Sequence, residues 1–408
     1  MSLISSDIQF IHIYFLLVFI IYFFREWFIY LLHLDPKKRV LTRFFKLYIQ
    51  PISYLFSGIL VFISYKNSKR KKGKIQTNKN DLQLIYYNNP IKINILLIRT
   101  FLVSLFFFLS KYLFFIFYIF IDTEAENLES LLVFYLIFIY HFSKKIHKVQ
   151  YYRHHTFSFI ISIFFMIILG IFDFKTIHDD FWEVNVVFYL LVLIISICFN
   201  SFAFVLGKKA LISEFLSPQT ILLYEGIYQS LLAILSTIPF IFIKIDISGN
   251  KENVFNIFSD VLNNIKNVIL CFLYMIAECT YELFLWIIID RFSPNDLAIA
   301  LIIKGLASEI FSCVKDYYNH RKVEDLTKKI FELIIYIILI IITSIHSEII
   351  IINICELNKY TKKNISKMGN EDYNLTKEPF AVDSLNIDDD EEEEEKEENN
   401  IDIEMPKR

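Results

Sequence analysis

The chain has 408 residues, of which 55% are hydrophobic and 17% aromatic, with a mean hydropathy of +0.47; no soluble domain of ordinary size can hide that much apolar surface. The formal charge of −3 conceals an asymmetry, because residues 387–408 hold 12 acidic and 3 basic residues, a net of −9 that leaves +6 on the rest. Five dispersed cysteines, Cys198, Cys271, Cys279, Cys313 and Cys355, lack the paired spacing of a zinc or redox site and read as small core residues.

The apolar runs of Ile, Phe, Leu and Tyr are bounded by short charged loops and read as membrane-spanning helices. A hydrocarbon core about 30 Å thick takes about 20 apolar residues, and a helix satisfies its own backbone polar groups there. In chain order the candidates are 11–34, 51–65, 94–121, 128–143, 156–174, 184–206, 219–243, 267–289, 295–314 and 330–353. The first has no basic region before it and no small-residue cleavage site after it, so it is expected to be a retained anchor. Loops 66–79 and 144–153 are basic, whereas 122–127 and 175–183 are acidic. That alternation places the basic loops, Lys208, Lys209 and the C-terminal tail in the cytoplasm.

Two loops conflict with ten spans. Residues 35–50 carry Lys37, Lys38, Arg39, Arg43 and Lys46 where an outer loop is required, and 315–329 is slightly basic. If 51–65, somewhat short for a span, dips in and returns, nine spans remain. The expected organisation is a first five-helix half at 1–174, a second at 175–355 and a disordered tail at 356–408. The tail's almost wholly acidic run at 388–398 repels itself and cannot form a core. Its sequons, at Asn364 and Asn374, would not meet a glycosyltransferase on the cytoplasmic side.

Tyr151-Tyr152-Arg153-His154-His155 and Tyr317-Tyr318-Asn319-His320-Arg321 are alike and lie five spans apart. An odd separation inverts the second unit, the arrangement by which many transporters place a solute site at the midplane. The stretches Cys198-Phe-Asn200-Ser-Phe, Lys208-Lys209, Ser217-Pro218 and Leu222-Leu-Tyr224-Glu225-Gly226-Ile belong together with Tyr281-Glu282-Leu-Phe-Leu-Trp286, Asp290-Arg291-Phe-Ser293-Pro294 and Leu297-Ala298-Ile-Ala300. Over about 195–355 they resemble the drug/metabolite transporter superfamily, in its nucleotide-sugar-transporter-like branch. The resemblance implies ten helices in two inverted five-helix repeats and secondary transport of a small solute. The chain departs from that pattern in having only 8 glycines and in carrying Lys304 within the ninth span.

Charges inside the bilayer are the candidate site, since each costs about 2.5–3.5 kcal/mol on insertion scales and calls for a partner, a wet cavity or a function. Glu278 and Glu282, four residues apart, share one helix face, and one of them is expected to hold a proton; Glu278 is then the candidate proton carrier. Lys304 and Lys111 either pair with a glutamate or anchor an anionic solute. Glu225, in the resembling Glu-Gly, Asn200 and the adjacent Tyr281 complete the solute-binding candidates. Arg25 and Glu26 are expected to satisfy each other at the membrane surface, with no further role.

Enzyme classes fare poorly. His154-His155 and the pair His141 and His147 fall in a basic loop beside headgroups, no helix carries His-Glu-x-x-His, and there is no Gly-rich phosphate loop. No cofactor and no metal site is expected. Lys69-Arg70-Lys71-Lys72 reads as an orientation signal rather than a nucleic-acid contact. The expectation is an all-α polytopic secondary transporter of a small polar or anionic metabolite, working by alternating access in the lipid bilayer of an endomembrane or the plasma membrane. The alternative is a non-transporting scaffold that recruits partners through its acidic tail.

Overall fold

The computed structural model describes residues 2–32, 39–71, 90–120, 132–149, 151–177, 185–214, 216–242, 245–247, 250–252, 256–292, 294–318 and 326–346. The first half of the chain forms α1 (Ser2–Leu31), α2 (Arg39–Tyr54), α3 (Ser57–Lys71), α4 (Pro90–Phe120), α5 (Leu132–Ile146) and α6 (Arg153–Ile177). The second forms α7 (Asn185–Ser213), α8 (Pro218–Phe242), the antiparallel pair β1 (Ile245–Ile247) and β2 (Asn250–Glu252), α9 (Asn256–Leu262), α10 (Ile265–Arg291), α11 (Pro294–Tyr318) and α12 (Leu326–His346). Each apolar segment picked out in the sequence overlaps one or more of these helices. The expected tail, its sequons and Cys355 lie outside the described residues, as do Asn319 to Arg321 of the internal match.

Among the described residues, six stretches are long and apolar enough to cross a bilayer: His12–Leu31, Phe45–Ser64, Asn94–Phe115, Leu191–Ser213, Ile265–Arg291 and Lys329–His346, with Arg153–Leu169 a shorter apolar helix. The protein is therefore an all-α, multi-pass integral membrane protein. Between 22% and 50% of each spanning window is buried within the protein. Much of the rest is apolar and exposed, such as Leu16, Phe62, Ile98 and Ile341, as expected of helices that turn one side to lipid.

The region 35–50, read in the sequence as a loop, is largely helical. Helix α2 is strongly amphipathic, burying Phe45, Leu47 and Ile49, so its charges mark one face and not a loop. Between α2 and α3 the helix breaks at Leu55 and Phe56, where the N–H groups of both residues bond three residues back, to Ile52 and Ser53. Ser57 Oγ donates to the Tyr54 carbonyl at 2.7 Å, which satisfies an acceptor the break would otherwise leave open.

Helix α4 lies along α7 and α8, and α1 along α10 and α11; α5 packs on α7 and α11, α2 on α8, α10 and α4, α6 on α12 and α5, α12 on α11, and α10 on α8. The largest apolar cluster, with Trp286 and Tyr54 fully buried, draws on α1, α2, α4, α5, α7, α8, α10 and α11. Helix ends near 208–214 are tied by charge. Lys208 Nζ donates to the carbonyls of Ile289 at 2.7 Å and Asp290 at 2.9 Å, capping α10 with a cation where its dipole is negative. Arg99 in α4 pairs with Glu214 and Ser213 at the end of α7.

Candidate functional site

Six helices converge on one buried polar chain. Arg25 of α1 lies between the rings of Tyr22 and Tyr281, 5.1 and 5.2 Å from their centroids, and its Nε meets Glu278 Oε2 of α10 at 2.6 Å. Glu278 has no solvent exposure. Tyr54 of α2 donates its hydroxyl hydrogen to Glu278 Oε1 at 3.4 Å and accepts from Lys111 Nζ of α4 at 2.8 Å. Lys111 Nζ also donates to Gln229 Oε1 of α8 at 3.1 Å and lies 4.7 Å from the centre of the Tyr54 ring. Gln229 Nε2 donates to Glu225 Oε1 at 2.6 Å, and Trp286 Nε1 of α10 donates to Glu225 Oε2 at 3.1 Å. On α11, Lys304 Nζ stands 5.4 Å from the centre of the Tyr22 ring.

Basic and acidic residues are equal in number in this centre, Arg25, Lys111 and Lys304 against Glu225, Glu278 and Glu282. Glu282, one turn beyond Glu278, is within electrostatic reach of Lys111, Arg25, Lys304 and Glu278. On the α1 side the chain leads outward through Glu26, 3.6 Å from Arg25, to Lys46 of α2, 3.7 Å from Glu26. Side-chain exposure is 14% at Lys46 and 18% at Glu26, and drops to 9% at Arg25 and zero at Glu278.

Close packing fixes these partners. Gly207 lies so near Trp286 that a Cβ would land within the indole ring's contact distance, and the indole is edge-on to Phe107 at 5.9 Å. At Gly226 a Cβ would stand 3.0 Å from Tyr54 Cβ and 3.1 Å from both the Leu55 nitrogen and the Pro51 oxygen. Glu225-Gly226 thus serves two ends at once, a buried acceptor and a close approach of α8 to the α2–α3 break.

Of the sequence candidates, Glu225, Glu278, Tyr281, Glu282, Lys111 and Lys304 come together here. Asn200 does not join the ionic chain: its Nδ2 is 3.5 Å from Ser110 Oγ, in a seam where Ser196 Oγ donates to the Ser110 carbonyl at 2.8 Å. Arg25 departs from its expected place, being buried and bound to Glu278 while it also touches Glu26. Glu225, close to an end of its span in the sequence, is 2% exposed. Tyr22, Tyr54, Gln229 and Trp286 belong to the site without being candidates on sequence grounds. Gln229 carries a signal, standing one turn from Glu225 on the same face; Tyr54 and Tyr22 carry none among so many tyrosines.

Two of the loop histidines turn inward, while His141 is exposed. His154 and His155 are buried at the start of α6 with ring centroids 3.9 Å apart, and His346 of α12 lies 4.9 Å from His155. Burial, with Lys208 and Lys209 nearby, pushes the His147 imidazole below its ordinary value, although its hydrogen bond with the Val205 carbonyl at 3.0 Å opposes this. Beside this region Tyr140, Ser158, Ser162, Thr343 and His346 help to line a cavity of ≈ 20 Å³, room for about one water. Among the described residues no group of three or more His, Cys, Asp or Glu side chains is placed to hold a metal. The sequence matches no model of a known protein family and no curated protein.

Proposed function

We propose that this protein is a secondary transporter that moves a small polar or anionic metabolite by alternating access between two inverted five-span halves. The observation that carries the reading is the buried, charge-balanced polar chain shared by helices of both halves. Ionisable groups at such depth are costly, and they concentrate where a membrane protein handles solutes or ions.

The helix pairings support the inverted arrangement. Let α1, α2–α3, α4, α5 and α6 be one half and α7, α8, α10, α11 and α12 the other. Then α4 with α7 corresponds to α10 with α1, α5 with α7 to α11 with α1, α4 with α8 to α10 with α2, and α2 with α4 to α8 with α10. The pairs α2 with α8, α5 with α11 and α6 with α12 correspond to themselves. Such a pattern is what a two-fold axis relating the halves produces, and five spans in each half would place that axis in the membrane plane. The interrupted α2–α3 span beside Glu225 and Lys111 is a further mark of a carrier site. Ten spans, a cytoplasmic tail and membership of the drug/metabolite transporter type belong to this proposal.

The test is uptake into proteoliposomes across a panel of nucleotide sugars, nucleotides, sugar phosphates, amino acids and vitamins, with the wild type beside Lys111→Met and Lys304→Ala. For a transported solute, each variant should lower uptake per folded molecule by about tenfold or more, since a charge-assisted hydrogen bond is worth about 1.5–3 kcal/mol. No uptake of any solute, with both variants unstable from the start, would favour the scaffold.

A further inference from the structure

The site's contacts differ in how easily they can be exchanged. Glu278 is held by Arg25 at 2.6 Å, and Glu225 by Gln229 at 2.6 Å and Trp286 at 3.1 Å. A cationic solute seeking either carboxylate would have to break an ion pair or two buried hydrogen bonds. Lys111 instead donates to two neutral acceptors, the Tyr54 hydroxyl and the Gln229 carbonyl oxygen. An oxyanion can replace both at Lys111 without separating any ion pair, and Tyr54 and Tyr22 offer ring faces beside Lys111 and Lys304. The exchangeable contacts are therefore those of Lys111.

An entering anion meets one obstacle. The centre is already neutral, and Glu282 feels the same cations, Lys111, Arg25 and Lys304. Two negative charges competing for one pair of lysines in a water-poor site repel strongly. Taking up a proton on Glu282 removes that repulsion and keeps the centre neutral when the anion binds. Resting on the transporter reading, we infer that the solute is an oxyanion, carried together with a proton that resides on Glu282. The carboxylate takes the proton from water on the side of anion entry, the anion binds to Lys111 and Lys304, and both leave together on the other side. Glu26 and Lys46, at 18% and 14% exposure, lie between the centre and the surface on the α1 side.

The titratable and charged groups around Glu282 are Tyr22 and Arg25 on α1, Tyr54 on α2, Lys111 on α4, Tyr135 on α5, Glu225 on α8, Glu278, Cys279 and Tyr281 on α10, and Lys304 on α11. On α7, Lys208 is engaged with the far end of α10. Glu278 differs from Glu282 in having Arg25 directly on its oxygen, so protonating it would leave a buried guanidinium unmatched.

The test uses purified protein in lightly buffered detergent with benzenesulfonate or sulfate, oxyanions whose charge does not titrate near neutrality. Binding is read by thermal shift, and proton uptake by a pH-indicator dye. Wild type should take up about one proton per bound benzenesulfonate. Glu282→Gln should bind the probe with no proton uptake, and Glu282→Asp should restore uptake. Binding without proton uptake in wild type, or uptake that survives in Glu282→Gln, overturns the coupling and leaves the transporter reading standing. If neither probe binds, the oxyanion class is overturned, and the transporter reading then depends on the wider uptake panel alone. The wild-type proton count is informative even if Glu282→Gln does not fold.

Discussion

Arg25 shows how a single side chain sets the character of the site. Adjacent residues on a helix point about 100° apart, so Arg25 and Glu26 can touch each other yet take different further partners. The fold sends Arg25 inward to Glu278 and leaves Glu26 nearer Lys46. Removing one partner of a buried ion pair leaves the other uncompensated, and Arg25→Ala or Glu278→Ala should each cost about 3–5 kcal/mol. The double substitution Arg25→Met with Glu278→Leu should recover much of that. Denaturation in mixed micelles measures both, and single losses that simply add would contradict a direct pair. Intramembrane charges are legible as candidates in the sequence. Which of them meet is not, because Arg25 and Glu278 are brought together only by the packing of α1 on α10.

Individual elements are held by glycine at two close approaches. A methyl group at Gly207 cannot coexist with the Trp286 ring in its present place, so Gly207→Ala should displace the indole from Glu225 and destabilise the protein by about 1–3 kcal/mol. At Gly226 the nearest atoms include the Leu55 and Pro51 backbone, which moves less readily than a side chain, so Gly226→Ala should lower the melting temperature as well. Thermal unfolding followed by Trp fluorescence reports both, and an unchanged melting temperature would mean that α8 can move away from α2. The Glu-Gly pair is visible in the sequence, but its partner surface is not. Helix α2 reads as a loop in the sequence because its charge density masks an amphipathic pattern. The break between α2 and α3 has no sequence signal of its own, since Pro51 lies before it, within α2.

At the scale of the whole molecule, ten spans place three helices, α6, α7 and α8, between Lys145 and Asn250. In a chain cleared of native cysteines, Lys145→Cys and Asn250→Cys should therefore react with a membrane-impermeant maleimide from opposite sides of sealed vesicles. Labelling from one side would mean that an even number of these helices crosses, and would undo the inverted halves. Of these three helices only α7 carries one of the six long apolar stretches; α6 has the shorter Arg153–Leu169 and α8 has neither, so the labelling tests both.

Hydrophobic run length is a local property, so the sequence by itself determined that this is a multi-pass helical membrane protein and roughly where its helices lie. Burial cost is also local, which is why Glu225, Glu278, Glu282, Lys111 and Lys304 stand out within their apolar runs. Pairing is not local. Which cation meets which carboxylate, that Tyr54 bridges Lys111 and Glu278, and that Gly207 makes room for Trp286 depend on side chains far apart in sequence, such as Tyr54 and Glu278 at a separation of 224 residues, being packed within reach of each other. Only the tertiary structure decides that, because hydrogen bonds and close packing act over a few ångströms while the chain order that encodes them spans the whole protein.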